Sequence, residues 1–336
     1  MIYIKQELPA NNNFSSPFHC FLDLETTGLS KNNDLIICFG LAYIKEETLY
    51  MEQYILEHKS EERDLLEQLK KILPTLEKIY TYGGKHFEWP FIIEKLNTYG
   101  IDSSFLSALQ LIDLKQPKES RGALEIRIGF RRNQTITGKE LAKLSKLHLH
   151  EPNKTYETLI LEHNKEELLS LQAIFDFTHF LNHLSPRQLK TYTFLEDSIS
   201  FTLIPTKPYH LSFSFSKENI EYSFDSSTGV VTLSLKAQYL LLKTYLPHQD
   251  YYLVEGELMH KSIAKLLPAS MRQKATKSNC YLEQEGFYLP LQLKEFKDLT
   301  WVDEHKQSYI SYKPEALEDY VLPLLKSVLK KITPKS

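Results

Sequence analysis

The pattern of apolar and polar positions divides the chain into two halves of different character. In the first half, the stretches FHCFLDL, DLIICFGLAYI and TLYMEQYIL predict three strands, and KIYTY predicts a short fourth one. Between residues 64 and 76, apolar side chains recur every three or four positions, which predicts an amphipathic helix. Mixed strand and helix order of this kind indicates a layered α/β domain.

Three further helices are predicted after the fourth strand. The first begins near Pro90, which suits a first helical turn, and ends at Gly100, a favourable residue after a helix. The segment TGKELAKLSKL predicts a short helix, with Thr137 or Gly138 near its N-cap. A longer helix is predicted from about residue 156 to about residue 184.

The second half has a different pattern, which begins after Ser185 and Pro186. ISFTLIP, HLSFSFS, NIEYSFD and VVTLSL alternate with a period of two, and DSSTG supplies a hairpin turn. A final helix is predicted from Pro314 to Ile332. We therefore expect an α/β domain over residues 1–185 and a β-rich α+β domain over residues 186–336.

Composition places the chain among ordinary globular proteins. Its 336 residues suffice for two domains, and 42% hydrophobic with 25% charged residues is the usual balance. No apolar run is long enough to cross a membrane, and the start MIYIKQELPANNN lacks the features of a secretory signal. The three cysteines have no metal-ligand spacing, so we expect a cytoplasmic protein without membrane contact. The formal net charge of −3 does not indicate a nucleic-acid partner, although phosphate binding needs only a local basic surface.

Two acids in the stretch DLETTG are the first candidates for chemistry. Side chains on a strand alternate between faces, so Asp23 and Glu25 point the same way and repel each other unless a cation or solvent separates them. A solvated strand end capped by a polar turn and one half of a metal site explain this pair about equally well.

Further acids stand at two later positions. Glu88 precedes Pro90 at a predicted helix start, where the helix dipole alone favours an acid. His163 and Glu167 lie four residues apart on one helix face, and Glu167 lies on the inward apolar stripe while Glu166 projects to the side. An inward acid needs a partner, and an ordinary His–Glu ion pair would satisfy it.

Together the three sites resemble a known arrangement. FLDLETTGL, YGGKHFEWPFI and HNKEELLSL are similar, in order and approximate spacing, to the three motifs of the DEDD (DnaQ-like) exonucleases. Within that superfamily the chain resembles the YprB-like family, over about residues 17–184. The resemblance implies a ribonuclease-H-like fold, with a mixed β-sheet flanked by helices. The segment RQKATKSNCYLEQEGFYLP resembles a C-terminal module that accompanies this domain in some bacterial proteins.

Carried over residue by residue, the resemblance assigns metal ligation to Asp23, Glu25, Glu88 and Glu167. It implies two divalent ions, Mg²⁺ or Mn²⁺, which prefer carboxylate oxygens as ligands. Enzymes of this kind use such a pair of ions to hydrolyse a phosphodiester bond. His163 falls where related enzymes place the residue that orients or deprotonates the attacking water. Glu88 and Glu167 stand where the family usually has Asp. Each carboxylate therefore reaches about 1 Å further, and a misplacement of that size costs about a hundredfold in rate.

Several residues are candidate contacts for a nucleic acid. Thr26 follows the first acidic pair, and Trp89 stands beside Glu88, where it could stack on a base. Arg272, Lys274 and Lys277 belong to a stretch without acids, for which phosphate binding and plain solvation are about equally good readings.

Two other basic residues, Arg131 and Arg132, adjoin Phe130 in the segment EIRIGFRRNQ. Most charged runs are solvated surface, so we expect these two arginines to be exposed and without a role of their own.

The activity implied by the resemblance is that of a 3′-to-5′ exonuclease on single-stranded DNA or RNA. Two other hypotheses stay open. The protein is then either a catalytically degenerate nucleic-acid-binding protein on the same fold, or a protein-interaction module that uses its C-terminal sheet. Fold alone does not choose among them.

Overall fold

The computed structural model describes residues 1–9, 18–45, 48–115, 119–207, 209–290, 300–303, 305 and 307–333. The chain divides into two compact units. The first comprises residues 1–183, 205–214 and 225–229, and the second comprises residues 184–204, 215–224 and 230–336. Among the helices within these ranges, none is long and apolar enough to span a membrane.

The first unit is built on a six-stranded mixed sheet. Its strands lie in the order β1-β4-β3-β2-β5-β6. Neighbouring strands are antiparallel from β1 through β4 and β3 to β2. The pairs β2·β5 and β5·β6 are parallel. The strand bounds are β1 Ile2–Pro9, β2 His19–Thr26, β3 Ile36–Lys45, β4 Thr48–Ile55, β5 Lys78–Thr81 and β6 Gln110–Asp113.

Within the described ranges, five α-helices accompany this sheet, and the longest of them, α5 (Lys154–Asn182), packs on β2 and β3. The sheet and helices enclose one apolar core, in which Leu22, Ile36, Leu66 and Ile160 are fully buried. Strand β2 is buried from Cys20 onward, as expected of a central strand covered on both faces. The helix bounds are α1 Glu62–Ile72, α2 Glu88–Thr98, α3 Arg121–Arg127, α4 Gly138–His150 and α5 Lys154–Asn182.

The second unit is rich in antiparallel strands. One sheet has the order β7-β8-β11-β10-β9, four strands close into a small barrel (β12-β16-β18-β17), and three more form the sheet β14-β13-β15. The strands of the five-stranded sheet are β7 Leu189–Phe194, β8 Ser198–Leu203, β9 Phe213–Lys217, β10 Ile220–Asp225 and β11 Val230–Lys236. The remaining strands are β12 Gln238–Tyr245, β13 Tyr251–Val254, β14 Glu257–His260, β15 Gln273–Lys274, β16 Tyr281–Leu289, β17 Thr300–Val302 and β18 Ser308–Ser311. The helices are α6 Lys261–Ala264, α7 Pro314–Leu317 and α8 Val321–Ile332.

The strongly periodic elements predicted from the sequence are confirmed. They are β2 to β5, β8 to β11, α1, α2, α4 and α5, and DSSTG forms the turn between β10 and β11. The predicted final helix is interrupted by a tighter turn at residues 318–320. Strands β1, β6, β7 and β12 to β18, and helices α3 and α6, were not predicted.

Candidate active site

Strand β2 carries Asp23 and Glu25 into the interior of the first unit, where they are 5% and 7% exposed. Asp23 pairs with Gly40 across the sheet, and Glu25 pairs with Cys38. The register of the two strands shifts after Glu25, at the point where the polar turn begins. A two-residue spacing on a strand therefore places both carboxylates on one face, next to the end of the strand.

The turn after β2 is fixed by its own side chains. Thr27 donates its hydroxyl to Asp34 Oδ1 at 3.2 Å and accepts the backbone N–H of Leu35 at 2.9 Å. Thr26 is buried, and its hydroxyl donates to the carbonyl of Gly28 at 2.7 Å. Thr26 therefore holds the turn, and its suggested contact with a nucleic acid stays a prediction.

Glu88 reaches the same region from the first turn of α2. Gly83 adopts a φ of +82°, which favours glycine, and its N–H donates to Asp113 Oδ1 at 2.7 Å. A Cβ on Gly84 would lie 2.2 Å from Thr81 Oγ1, so the backbone can turn here only without a side chain. The double glycine thus brings α2 close to the end of β5, and Glu88 is 5% exposed.

Helix α5 supplies His163 and Asn164 to the acids of β2. His163 Nδ1 lies 2.8 Å from Glu25 Oε1. Asn164 is fully buried, and its Nδ2 donates to Asp23 Oδ2 at 2.9 Å. Its Oδ1 accepts from Gln53 Nε2 at 2.9 Å, which fixes the orientation of the amide. The long helix therefore positions both carboxylates of the strand.

Glu167 lies one turn further along α5, and its carboxylate is bound by two arginines. Arg132 Nη1 donates to Glu167 Oε1 at 2.5 Å, and Arg121 Nη1 forms an ion pair with Glu167 Oε2. His163 Nε2 lies 3.9 Å from Glu167 Oε1. We refer to Arg121 and Arg132 as the arginine clamp, and to Asp23, Glu25 and Glu88 as the acidic cluster.

Burial and mutual repulsion dominate the electrostatics of the β2 acids. Burial raises the pKa of Asp23, and the negative charges of Glu25 and Glu167 raise it further. The pKa of Glu25 is likewise well above its ordinary range, because of burial and the charge of Glu167. Arg121 opposes both shifts without cancelling them. The surroundings therefore do not compensate the negative charge that these carboxylates would carry when ionised.

Glu88 and Glu167 respond in opposite ways to similar burial. Burial raises the pKa of Glu88 to about 7, although its own backbone N–H and Arg121 favour the charged form. Burial would also raise the pKa of Glu167, but Arg121 and Arg132 outweigh it, and the net pKa is lowered. The two arginines thus neutralise the charge of Glu167, whereas no bound cationic side chain does so for Glu88 among the described residues.

The acidic cluster has the donor chemistry of a site for a hard divalent cation. It offers carboxylate oxygens, and Glu88 Oε2 is buried without a hydrogen-bond partner. Within the described ranges, no group of three Asp, Glu, His or Cys side chains is positioned to hold a metal ion. The donor chemistry suits a cation at the acidic cluster. Glu167 Oε1 instead accepts a hydrogen bond from Arg132, and Glu167 Oε2, which also has no hydrogen bond among the described residues, is ion-paired with Arg121.

A groove of about 620 Å³ opens beside Glu25, between the turn after β2 and helix α4. Leu29, which is 86% exposed, forms part of its apolar lining. Lys139, Lys143 and Lys146 line the α4 side, at a spacing that places them on one helix face. An apolar lining with a basic edge suits a base and its phosphates.

Trp89, the predicted stacking residue, is half-buried and packs against the apolar core. Its role in stacking stays a prediction.

The second predicted contact region lies in the second unit. Arg272 is partly buried, with its guanidinium 5.5 Å from the ring of Tyr252 and Nη1 donating to the carbonyl of Ala264 at 3.2 Å. Lys274 lies in β15, and both Lys274 and Lys277 are exposed, with no salt-bridge partner in the described part of the chain. Arg272 therefore has structural contacts, whereas the two lysines are accessible to solvent.

Sequence reasoning missed three residues of this site and misjudged a fourth. Arg132 was expected to be solvated, but it contacts Glu125 and Glu167. Arg121, Asn164 and Gly40 were not identified. Nothing in the sequence singles out Asn164, because it stands in the polar run EHNKEE.

The model of the RNase_H superfamily matches residues 20–178. This segment is a ribonuclease-H-like domain. The span contains the acidic cluster, His163, Glu167 and the arginine clamp, and the predicted fold class is confirmed. The finer assignment to the YprB-like family stays a prediction. None of the curated proteins matches the chain.

Solved structures with similarity to the chain include a family B DNA polymerase from the archaeon Pyrobaculum calidifontis, at 11% identity and a TM-score of 0.38. That alignment covers 54% of this chain and 29% of the polymerase chain. Two others are Escherichia coli exonuclease I, one bound to zinc and single-stranded DNA and one in complex with a 5cy-dA13 oligonucleotide. Their identities are 14% and 11%, and their TM-scores are 0.29 and 0.27. These alignments cover 62% and 80% of this chain but 54% and 65% of the exonuclease chains, so the chain spans less than two thirds of each relative.

Proposed function

We propose that this protein is a divalent-cation-dependent nuclease, acting as a 3′-to-5′ exonuclease on single-stranded DNA or RNA. The ribonuclease-H-like fold supports a nuclease. The observation that carries the proposal is the acidic cluster, whose three carboxylates are buried without an arginine or lysine bound to them among the described side chains. Buried acids of this kind are costly in a purely structural role, and a cation would relieve the cost.

When bound at the acidic cluster, a divalent cation would activate water and stabilise the leaving oxygen. The residues of the chain prepare that chemistry. With a cation bound, Glu25 would be ionised and could only accept a hydrogen bond, so the proton of a neutral His163 would lie on Nδ1 and leave Nε2 as an acceptor. His163 can therefore take a proton from water, while Asn164 holds Asp23 in one orientation.

The first experiment measures cleavage of 5′-labelled single-stranded DNA and RNA in the presence of Mn²⁺, Mg²⁺ or EDTA. The expected result is a ladder of shortened products that requires a divalent ion. Asp23→Asn should abolish the ladder, because it removes a carboxylate charge of the acidic cluster while the side chain keeps nearly the same size. Asp102→Asn, at an exposed position of the same unit, is the matched control and should cleave like the wild type.

Polarity is read from the label. Shortening of 5′-labelled strands one nucleotide at a time supports 3′-to-5′ removal, whereas release of the labelled nucleotide itself at the start would contradict it. Cleavage that persists in EDTA, or that survives Asp23→Asn, would contradict the proposed site.

The accessible lysines of the second unit are proposed to bind phosphates of a single-stranded nucleic acid. Replacing Arg272, Lys274 and Lys277 with Gln should weaken binding and flatten its salt dependence, by up to about 2 in the log–log slope for three contacts. Lys236→Gln is a control in the same unit, since that lysine is paired with Glu221 at 2.7 Å. An unchanged slope would remove these residues from the proposed surface.

A second candidate function is nucleic-acid binding without cleavage. It is favoured by the arginine clamp, which engages a carboxylate that the resemblance assigns to metal. Binding at low salt with no product under any metal condition would establish this alternative. A cytoplasmic location belongs to either version of the proposal, since the three cysteines are buried and free.

A further inference from the structure

Two arginines bind the carboxylate of Glu167, which the resemblance assigns as a metal ligand. We propose that Arg121 and Arg132 neutralise Glu167 in place of a second divalent cation, so that the site binds one divalent ion, at the acidic cluster. The inference rests on the proposed function, because it assumes that the acidic cluster binds a cation.

The contacts leave little of Glu167 for a metal. Arg132 Nη1 binds Oε1 at 2.5 Å, and Arg121 Nη1 is paired with Oε2. Arg121 Nη2 also donates to the backbone carbonyl of Glu167 at 2.5 Å. An arginine does not lose its proton in a protein, so these contacts persist at every pH at which Glu167 is ionised.

The arginines are themselves fixed by Glu125, which is 4% exposed. Arg132 binds Glu125 through two nitrogens, with Nε to Oε2 at 2.8 Å and Nη2 to Oε1 at 2.5 Å. Arg121 Nε lies 3.3 Å from Glu125 Oε1 and donates to Ser170 Oγ at 3.2 Å. Arg132 therefore makes a bidentate ion pair with Glu125, and both arginines are held in place by a buried carboxylate. Such an arrangement is more rigid than an ordinary surface ion pair.

The charges of this group cancel, because two arginines face two glutamates. A divalent cation on Glu167 would have to sit beside two guanidinium groups, which would repel it. No guanidinium is bound to the acidic cluster in the described part of the chain, where its basic contact is the imidazole of His163 and Arg121 acts only from a longer distance. One divalent ion therefore suits the cluster, and the arginine clamp occupies the position of another.

The test counts bound ions. Mn²⁺ is titrated into the full-length wild type, and the unbound ion is measured by electron paramagnetic resonance. We expect one bound ion per chain in the wild type and two in the double variant Arg121→Gln with Arg132→Gln, which frees the carboxylate of Glu167. Arg131→Gln, at the exposed neighbouring position, should keep one ion.

Glu167→Gln provides a second measurement that does not depend on the stability of the double variant. If Glu167 is not a ligand, this variant still binds one ion. Two ions in the wild type, one ion in the folded double variant, or loss of the ion in Glu167→Gln would each overturn the inference. Two ions together with metal-dependent cleavage would leave the proposed function intact, whereas no bound ion and no cleavage would overturn the proposed function itself.

Discussion

Glu88 gives the sharpest test of the electrostatics, because one substitution changes its charge and little else. The group is buried at the start of α2, and Oε2 has no hydrogen-bond partner. Its pKa is raised to about 7 from an ordinary value of 4.5. The folded protein thus holds this proton more tightly than the unfolded chain does. The stability that it contributes is present below pH 4.5 and is lost as the pH rises through about 7.

The magnitude follows from the difference between the two pKa values, about 2.5 pH units at about 1.4 kcal/mol each. Without metal, ionised Glu88 should destabilise the fold by about 3 kcal/mol at alkaline pH. Glu88→Gln removes that charge at nearly constant size. We therefore expect the variant to be more stable than the wild type by up to about 3 kcal/mol at pH 8.5, and equally stable at pH 4.

The assay is urea unfolding in EDTA across this pH range, with Glu94→Gln as the matched control on the same helix. Glu94 is only half-buried, so its substitution should change the free energy of unfolding by less than about 0.5 kcal/mol throughout. Added Mn²⁺ should stabilise the wild type and have much less effect on Glu88→Gln. Parallel stability curves for wild type and Glu88→Gln would refute the reasoning.

Three further changes test the backbone and the length of the acids. Gly40→Ala should lower the free energy of unfolding in urea by about 1–3 kcal/mol, because the added Cβ would lie 2.0 Å from the buried amide oxygen of Asn164. Gly122→Ala, with open space around the added Cβ, should be neutral or stabilising. Gly83→Ala should cost about 1–2 kcal/mol through backbone strain at φ +82°, and an unchanged thermal midpoint would contradict this. Glu88→Asp with Glu167→Asp should reduce cleavage about a hundredfold, since contacts are made at the present side-chain length. Equal or faster cleavage would show that the longer acids are a handicap.

Much of the arrangement of acids in the first unit follows from the residue spacing within single strands and helices, which the sequence shows directly. A two-residue spacing on an apolar strand places Asp23 and Glu25 on one face, and a four-residue spacing on a helix places His163 and Glu167 together. The double glycine before Glu88 indicates a tight turn into a helix. These rules depend only on the strand and helix periods, so they hold before the tertiary structure is known.

Elements with weak patterns were missed for a physical reason. Strands β1 and β6 are the two edges of the mixed sheet, and neither contains a fully buried residue among Ile2–Leu8 or Gln110–Asp113. An edge strand with one partly covered face carries a weaker hydrophobic signal than a central strand.

The partners of the acids were decided by tertiary structure alone. Nothing in the segment EIRIGFRRNQ distinguishes Arg132 from its exposed neighbour Arg131, yet one binds Glu125 and Glu167 and the other does not. Gly40 reads as one residue of an apolar strand, and its necessity appears only where Asn164 lies against it.

The sequence by itself determined which carboxylates share a face, because that depends on the repeat of one element. Only the tertiary structure decided which of them are neutralised by the chain and which are left for a cation. Ion pairs join residues that are far apart in sequence, and their formation depends on how helices and loops approach one another. Glu167 and Glu88 are the same amino acid in similar burial, and their different pKa values arise from the arginines that only one of them binds directly.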